Sequence, residues 1–192
     1  MAKLYFRYGV INSAKTLNLL AVAHAYRQQK KKILIVRPAL DERTPEVSSR
    51  AGLSQPPDLV VSDHCTSDQL YGMLTEKTVA CVLVDECQFF TRDQIDGFRQ
   101  FVRNRNIPVI CYGLRTDFCT RLFEGSHRLM EVADSIEEVK TTCSVDGCTK
   151  KAIYSARIID GKCCKDVDAP VVVLGMEETY QPVCDQCYHT RL

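Results

Sequence analysis

Leu4-Tyr5-Phe6-Arg7-Tyr8-Gly9-Val10-Ile11-Asn12-Ser13-Ala14-Lys15-Thr16 is the stretch from which the rest of the chain is read. Residues 3–8 read as a first strand, and 15–28 as a helix with Leu19, Leu20, Ala23 and Tyr26 on related faces. Between them lies the spacing G-x-x-x-x-G-K-[ST], with Ala14 in place of the second glycine. A loop of this kind turns backbone N–H groups onto phosphate oxygens. Its lysine reaches the β- and γ-phosphates, and its hydroxyl side chain ligates Mg²⁺. Gly9, Val10, Ile11, Asn12, Ser13, Ala14, Lys15 and Thr16 are therefore the candidate ATP-binding residues. The second glycine position often takes a backbone conformation that a Cβ resists by roughly 1–2 kcal/mol. That cost is tolerable, but it threatens to widen the loop at Ala14 or weaken its grip on phosphate.

Outward from this stretch the pattern repeats. Residues 33–36 read as a second strand, 41–55 as a polar, proline-punctuated mobile loop, 59–61 as a short strand and 67–74 as a short helix. Residues 79–84 are apolar at every position, as a strand buried on both faces requires. Thr91, with Gln94 three residues on, carries a capping-box signature for a helix reaching about residue 104. A buried strand over 108–112 and a helix over 125–133 follow. Short apolar runs alternating with amphipathic stretches predict an α/β fold, a P-loop (RecA-like) parallel sheet with flanking crossover helices. Beyond about Lys140 the chain turns to cysteines, turn residues and short β-like runs at 152–159 and 169–174. The expected division is a P-loop nucleotide-binding domain over 1–140 and a small zinc-binding β lobe over 141–192.

The apolar run ends in Asp85-Glu86. A carboxylate at the tip of a buried parallel strand is placed to hold Mg²⁺, because ligands of open α/β sheets gather at those strand ends. With Asp85 and Thr16 committed to the metal, Glu86 is free to take a proton from an acceptor hydroxyl as general base. The rival is a strand that simply ends in a solvated acidic turn.

Eleven cysteines in 192 residues could suggest a disulfide scaffold, but the number is odd and the chain is too long to need staples. Cys81 and Cys111 lie in apolar runs, where a thiol behaves as a small hydrophobe. Cys143-x4-Cys148 and Cys184-x2-Cys187 each form a knuckle, and two knuckles complete a four-sulfur structural Zn²⁺ site. His189 is an alternative to Cys187, and Cys163 and Cys164 are rival thiols. The N-terminus has no signal-like apolar core, and no run of about 18 apolar residues exists, so a cytoplasmic protein with no membrane partner is expected. A net charge of +1 gives no electrostatic footprint for nucleic acid and ranks a zinc-ribbon nucleic-acid-binding ATPase last.

Taken in order, several stretches resemble the P-loop thymidine kinases that carry a zinc-binding lasso lobe, in their bacterial and phage form. They are Leu4-Tyr5-Phe6, Ser48-Ser49-Arg50-Ala51-Gly52-Leu53, Asp85-Glu86-Cys87-Gln88-Phe89, Ile107-Pro108-Val109, Tyr112-Gly113-Leu114-Arg115-Thr116-Asp117-Phe118, Leu122-Phe123-Glu124-Gly125-Ser126 and the paired cysteines. The resemblance implies transfer of the γ-phosphoryl of ATP, with Mg²⁺, to the 5′-hydroxyl of thymidine or deoxyuridine. It implies that Asp85, Glu86, Cys87 and Gln88 form a nucleotide-facing stretch. Phe89 and Phe118 would flank the base, Gly175 and Tyr180 would belong to a loop closing over the nucleoside, and Arg43 would steer phosphate. Homotetramers and inhibition by the end-product triphosphate are implied in the same way. Two departures, Ala14 and Met176 in place of usual glycines, keep open a weakened homologue that binds nucleotide or nucleoside in a regulatory role.

Overall fold

The protein is described here from a computed structural model covering residues 1–39, 46–49, 52–170 and 180–190. Strand β1 (Leu4–Tyr8) runs into the phosphate-loop stretch and helix α1 (Lys15–Gln28) leaves it. Strand β2 (Ile33–Pro38) follows, then the paired β3 (Val47–Ser48) and β4 (Ser54–Gln55), then β5 (Leu59–Val61). Next come α2 (Ser67–Thr75), β6 (Cys81–Val84), a 3₁₀ turn at Cys87–Phe89, α3 (Arg92–Arg105), β7 (Val109–Gly113), α4 (Glu124–Val132) and β8 (Ser135–Glu138). The chain continues through β9 (Tyr154–Ile159), β10 (Lys162–Cys163), β11 (Tyr180–Val183) and α5 (Asp185–Thr190).

Six strands form one sheet in the order β5-β2-β6-β7-β1-β8, with every pairing parallel. The α/β fold with a parallel sheet and flanking helices is thus the observed one. Alternation along each strand sends side chains to two cores. Val82 and Val84 of β6 join Phe98, Phe101 and Leu129 on one face, while Cys81 and Leu83 join Leu19, Leu20 and Ala23 of α1 on the other. Only β7 separates β1 from β6, so their carboxyl ends lie about 10 Å apart across the sheet. That adjacency is what lets the phosphate loop and the acid pair serve one site.

The helix start expected at Thr91 is present. Thr91 Oγ accepts from Gln94 N–H at 3.2 Å, and Gln94 Oε1 accepts from Thr91 N–H at 3.1 Å. Gln94 is buried, and its Nε2 also donates to the carbonyls of Ser62 and Cys65 at 2.8 and 3.0 Å, tying the start of α3 to the turn before α2. Two expectations need correction. The stretch expected as a loop contains the β3–β4 pair at its described ends, and the strand expected over 79–84 begins at Cys81. β8, Ser-Ile-Glu-Glu, was not expected at all. It is a polar edge strand, held by parallel pairing to β1 and by the Arg7–Glu137 ion pair at 2.9 Å.

Past β8, β9 forms the middle of a three-stranded antiparallel sheet in the order β10-β9-β11. The expected β run at 169–174 falls mostly in 171–179, outside the described residues. None of the eleven cysteines is in a disulfide, and Cys81 and Cys111 are buried in β6 and β7 as small hydrophobes. Among the described residues, no helix is long and apolar enough to cross a membrane.

Candidate active site and metal centre

The loop after β1 makes its turn with two left-handed residues, Asn12 (φ 60°) and Ala14 (φ 62°, ψ 27°). Ala14 therefore adopts the glycine-favouring conformation despite its Cβ, which projects to an exposed position. Gly9 is needed for space: a Cβ there would lie 2.6 Å from the Val139 carbonyl oxygen and closer still to Ser13 Oγ. Lys15 Nζ folds back over the loop, donating to Val10 O at 2.7 Å. From outside, Ser155 Oγ on β9 accepts from Ile11 N–H at 2.9 Å. Replacing Ala14 with glycine is expected to relieve the left-handed cost while adding chain entropy to the unfolded state. The net result should be a rise of roughly 1–3 °C in the thermal midpoint, read by circular dichroism.

At the end of β6, Asp85 N–H donates to Val36 O at 2.9 Å, which fixes the backbone. The Asp85 carboxylate is 6% exposed, with its two oxygens 3.3 and 3.4 Å from Thr16 Oγ. Burial, and next the Glu86 charge, push the Asp85 carboxyl well above the usual carboxylate range, against the pull of the Glu86 backbone N–H, Lys15 and Thr16. A cation at this point reverses that balance. The donors, a hydroxyl and a carboxylate, are hard oxygens of the kind Mg²⁺ takes. The loop and the acid pair, chosen separately in the sequence, are thus within hydrogen-bond reach of each other.

Glu86 is half-buried and left-handed (φ 50°, ψ 40°), capping the 3₁₀ turn. Non-glycine residues held there cost of order 1–3 kcal/mol and cluster at working sites. Cys87 is fully buried in one core, and Gln88 Nε2 donates to Glu86 Oε2.

The aromatic candidates divide. Phe118 is 2% exposed, meets Tyr180 edge-on at 6.5 Å, and lies under the Arg157 guanidinium at 5.6 Å. Its carbonyl accepts from Tyr188 Oη at 2.8 Å, which anchors it to α5. Phe89, half-buried, instead meets Phe123 edge-on at 5.7 Å. Arg43, Gly175 and Met176 lie outside the described residues.

In the second sheet, one sulfur from each of Cys143, Cys148, Cys184 and Cys187 lies within 4.8 Å of the others, with Cys148 and Cys184 at 3.8 Å. A tetrahedral ion with Zn–S bonds of about 2.3 Å needs sulfurs about 3.8 Å apart, so the donor set fits zinc. Ser144 N–H donates to Pro182 O at 2.9 Å, which brings Cys184 to the turn carrying Cys143 and Cys148, and α5 adds Cys187 one helical turn on. The Cys148 thiol is pulled down to about 7, first by the Lys150 backbone N–H and then by the neighbouring thiols, despite opposing desolvation. The rivals are not in this group of four: His189 is exposed beside Asp185 at 3.7 Å, Cys163 on β10 packs against the same small core, and Cys164 follows it.

Sequence reasoning missed the contact of Ser155 with the phosphate loop. Ser155 carries no local signal, since the loop it contacts is 144 residues away.

A family model described as thymidine kinase matches residues 2–188. A thymidine kinase of Streptococcus pyogenes serotype M3 is 40% identical over 190 residues, spanning 98% of this chain and 97% of its own. One from Chromobacterium violaceum is 39% identical over 193 residues, spanning 98% and 99%. One from Lactococcus lactis subsp. lactis is 38% identical over 190 residues, spanning 98% and 97%. Matched along nearly its whole length by the family model and by these relatives, this chain belongs to the thymidine kinase family and is a nucleoside kinase.

Proposed function

We propose that the chain transfers the γ-phosphoryl of ATP to the 5′-hydroxyl of thymidine or deoxyuridine, giving the monophosphate and ADP. The observation that carries this reading is the approach of Thr16 Oγ to the Asp85 carboxylate at 3.3 Å, beside Lys15 and Glu86. It supports the reading because it joins the loop after β1 to the acid pair after β6.

In this reading the backbone of Gly9 to Ala14 and the Lys15 ammonium hold the phosphates. Thr16 and Asp85 hold Mg²⁺, which when bound neutralises charge on the β- and γ-oxygens. Glu86 accepts the proton of the 5′-hydroxyl as its oxygen bonds to the γ-phosphorus and the bond from that phosphorus to the β–γ bridging oxygen breaks. Phe118, Phe89 and Tyr180 face the base, with Gly175 in the closing loop and Arg43 at the phosphates. The four cysteines hold Zn²⁺ as a structural ion for a lobe spanning 141–192, distinct from a kinase domain over 1–140. A cytoplasmic homotetramer restrained by the end-product triphosphate belongs to the same reading.

The rival, a weakened homologue, draws on Ala14 and Met176. Ala14 takes up the left-handed loop conformation without glycine, and this favours an active enzyme. Thymidine-dependent release of ADP from ATP and Mg²⁺ is expected at about 1–100 per second. Calorimetric binding of thymidine without ADP release would overturn the proposal in favour of the rival.

A further inference from the structure

We propose that Gln88 is a positioning residue for the base Glu86, acting through a buried hydrogen-bond chain rather than by contact with ATP. The inference rests on the reading of Glu86 as general base, and it reassigns a residue that the sequence placed among the nucleotide contacts.

Gln88 is 2% exposed, and both ends of its amide are engaged inside the protein. Leu114 N–H approaches one end at 3.0 Å. A backbone N–H only donates, so the atom it meets is the carbonyl oxygen, Oε1. The other end is therefore the NH₂ group, and it donates to Glu86 Oε2. The amide has no freedom to flip without setting donor against donor at Leu114. A carboxylate accepting from a buried donor gains a charge-assisted bond that is stronger and more directional than a neutral one.

The chain continues behind Leu114. Its carbonyl accepts from Ser126 Oγ at 2.6 Å, and Ser126 is fully buried on α4. From α4, through the segment after β7, to the turn after β6, three hydrogen bonds end on one oxygen of the base. The backbone is shaped to close around this path. A Cβ at Gly113 would come within 2.5 Å of Gln88 Oε1 and 2.6 Å of Cys87 Sγ. A Cβ at Gly125 would come within 2.5 Å of the Cys87 carbonyl oxygen and 3.2 Å of that of Gln88. Neither glycine has a positive φ, so both are required for close approach and not for backbone freedom.

Glu86 needs such support because its own backbone is left-handed, at φ 50°. A carboxylate mounted on a strained residue keeps one orientation only when its surroundings over-determine it. With Oε2 held by Gln88, Oε1 is presented to the proton of the acceptor hydroxyl. Proton transfer requires a heavy-atom approach of about 2.6–3.2 Å, and an error of about 1 Å costs on the order of 10²-fold.

The test is steady-state kinetics of full-length, metal-replete Gln88→Glu, Gln88→Met and Ser126→Ala, each also made in a Glu86→Gln background. Gln88→Glu keeps an acceptor for Leu114 N–H but sets an oxygen against Glu86, so kcat should fall about 10²-fold with both KM values within about twofold. Gln88→Met removes both bonds and should fall at least as far. Ser126→Ala, two links from the base, should lower kcat less and again leave both KM values alone; it carries the test if the Gln88 variants fail to fold. In the Glu86→Gln background these changes should add less than about twofold, because the group they position is gone. A raised KM for ATP at unchanged kcat would make Gln88 a nucleotide contact, and multiplicative losses in the double variants would make it independent of Glu86. Either result overturns the inference. An impaired Glu86→Gln beside an unimpaired Gln88→Glu sinks this inference alone. An unimpaired Glu86→Gln sinks it together with the general-base assignment.

Discussion

Stripping the metal from the four-cysteine site, or replacing Cys184 with serine, is expected to abolish activity by unfolding the β9–β11 sheet. The core of that sheet holds six buried residues, Cys143, Ala156, Val183, Cys184, Cys187 and Tyr188, and three of them are the thiols themselves. Too little apolar surface remains to offset the entropy of ordering this part of the chain. A structural Zn²⁺ contributes apparent binding energy of about 10–16 kcal/mol, as large as the whole stability of a typical domain. With the sheet go Tyr180 beside Phe118, the Tyr188 bond to the Phe118 carbonyl, and Ser155 at the phosphate loop. Metal analysis should find about one zinc per chain. A strong chelator should abolish thymidine phosphorylation and shift the circular dichroism, and added zinc should restore both. A fully active metal-free protein would show that the thiols do not depend on an ion.

Glu86→Gln is the second large effect, with kcat expected to fall about 10²- to 10⁴-fold. That corresponds to about 2.7–5.4 kcal/mol of lost transition-state stabilisation. The amide matches the carboxylate in shape and still offers an oxygen to Gln88, so the fold should be unchanged by thermal denaturation. It has no basic oxygen to take the hydroxyl proton. Magnesium binding should not suffer. After burial, the Glu86 charge is the largest cause holding the Asp85 carboxyl high, so its removal makes Asp85 easier to ionise. A fall in kcat with little change in KM for ATP, measured at saturating Mg²⁺, is the expected signature. An unchanged kcat would remove Glu86 from the proton transfer.

The parts legible in the sequence are those whose signals are local. Gly9 to Thr16 predicts strand, turn and helix because phosphate binding demands that succession, and α1 begins at Lys15 as expected. Thr91 and Gln94 mark the start of α3 because both halves of a capping box lie within four residues. The apolar stretch before Asp85 declares β6 because the strand is covered on both faces. The illegible parts depend on partners distant in sequence. β8 is polar because only one neighbour pairs with it, so its pattern matches a loop until β1 is beside it. The cysteine spacing alone left His189, Cys163 and Cys164 open as ligands. The four thiols are grouped by the contact of Ser144 N–H with Pro182 O, which no spacing within either pair contains. Gln88 reads as one more residue of a motif, and its two partners become apparent only when β7 and α4 close over the turn.

The hydrogen bond from Ile11 N–H to Ser155 Oγ joins a loop shaped for triphosphate to a sheet whose core is built around thiols. Two ligands that each order one end of such a bond share its free energy. To the extent that an ion held by the four thiols sharpens affinity for ATP, ATP must sharpen affinity for that ion by the same factor. Ion affinity measured with and without ATP therefore reports how far this one bond joins the two sites.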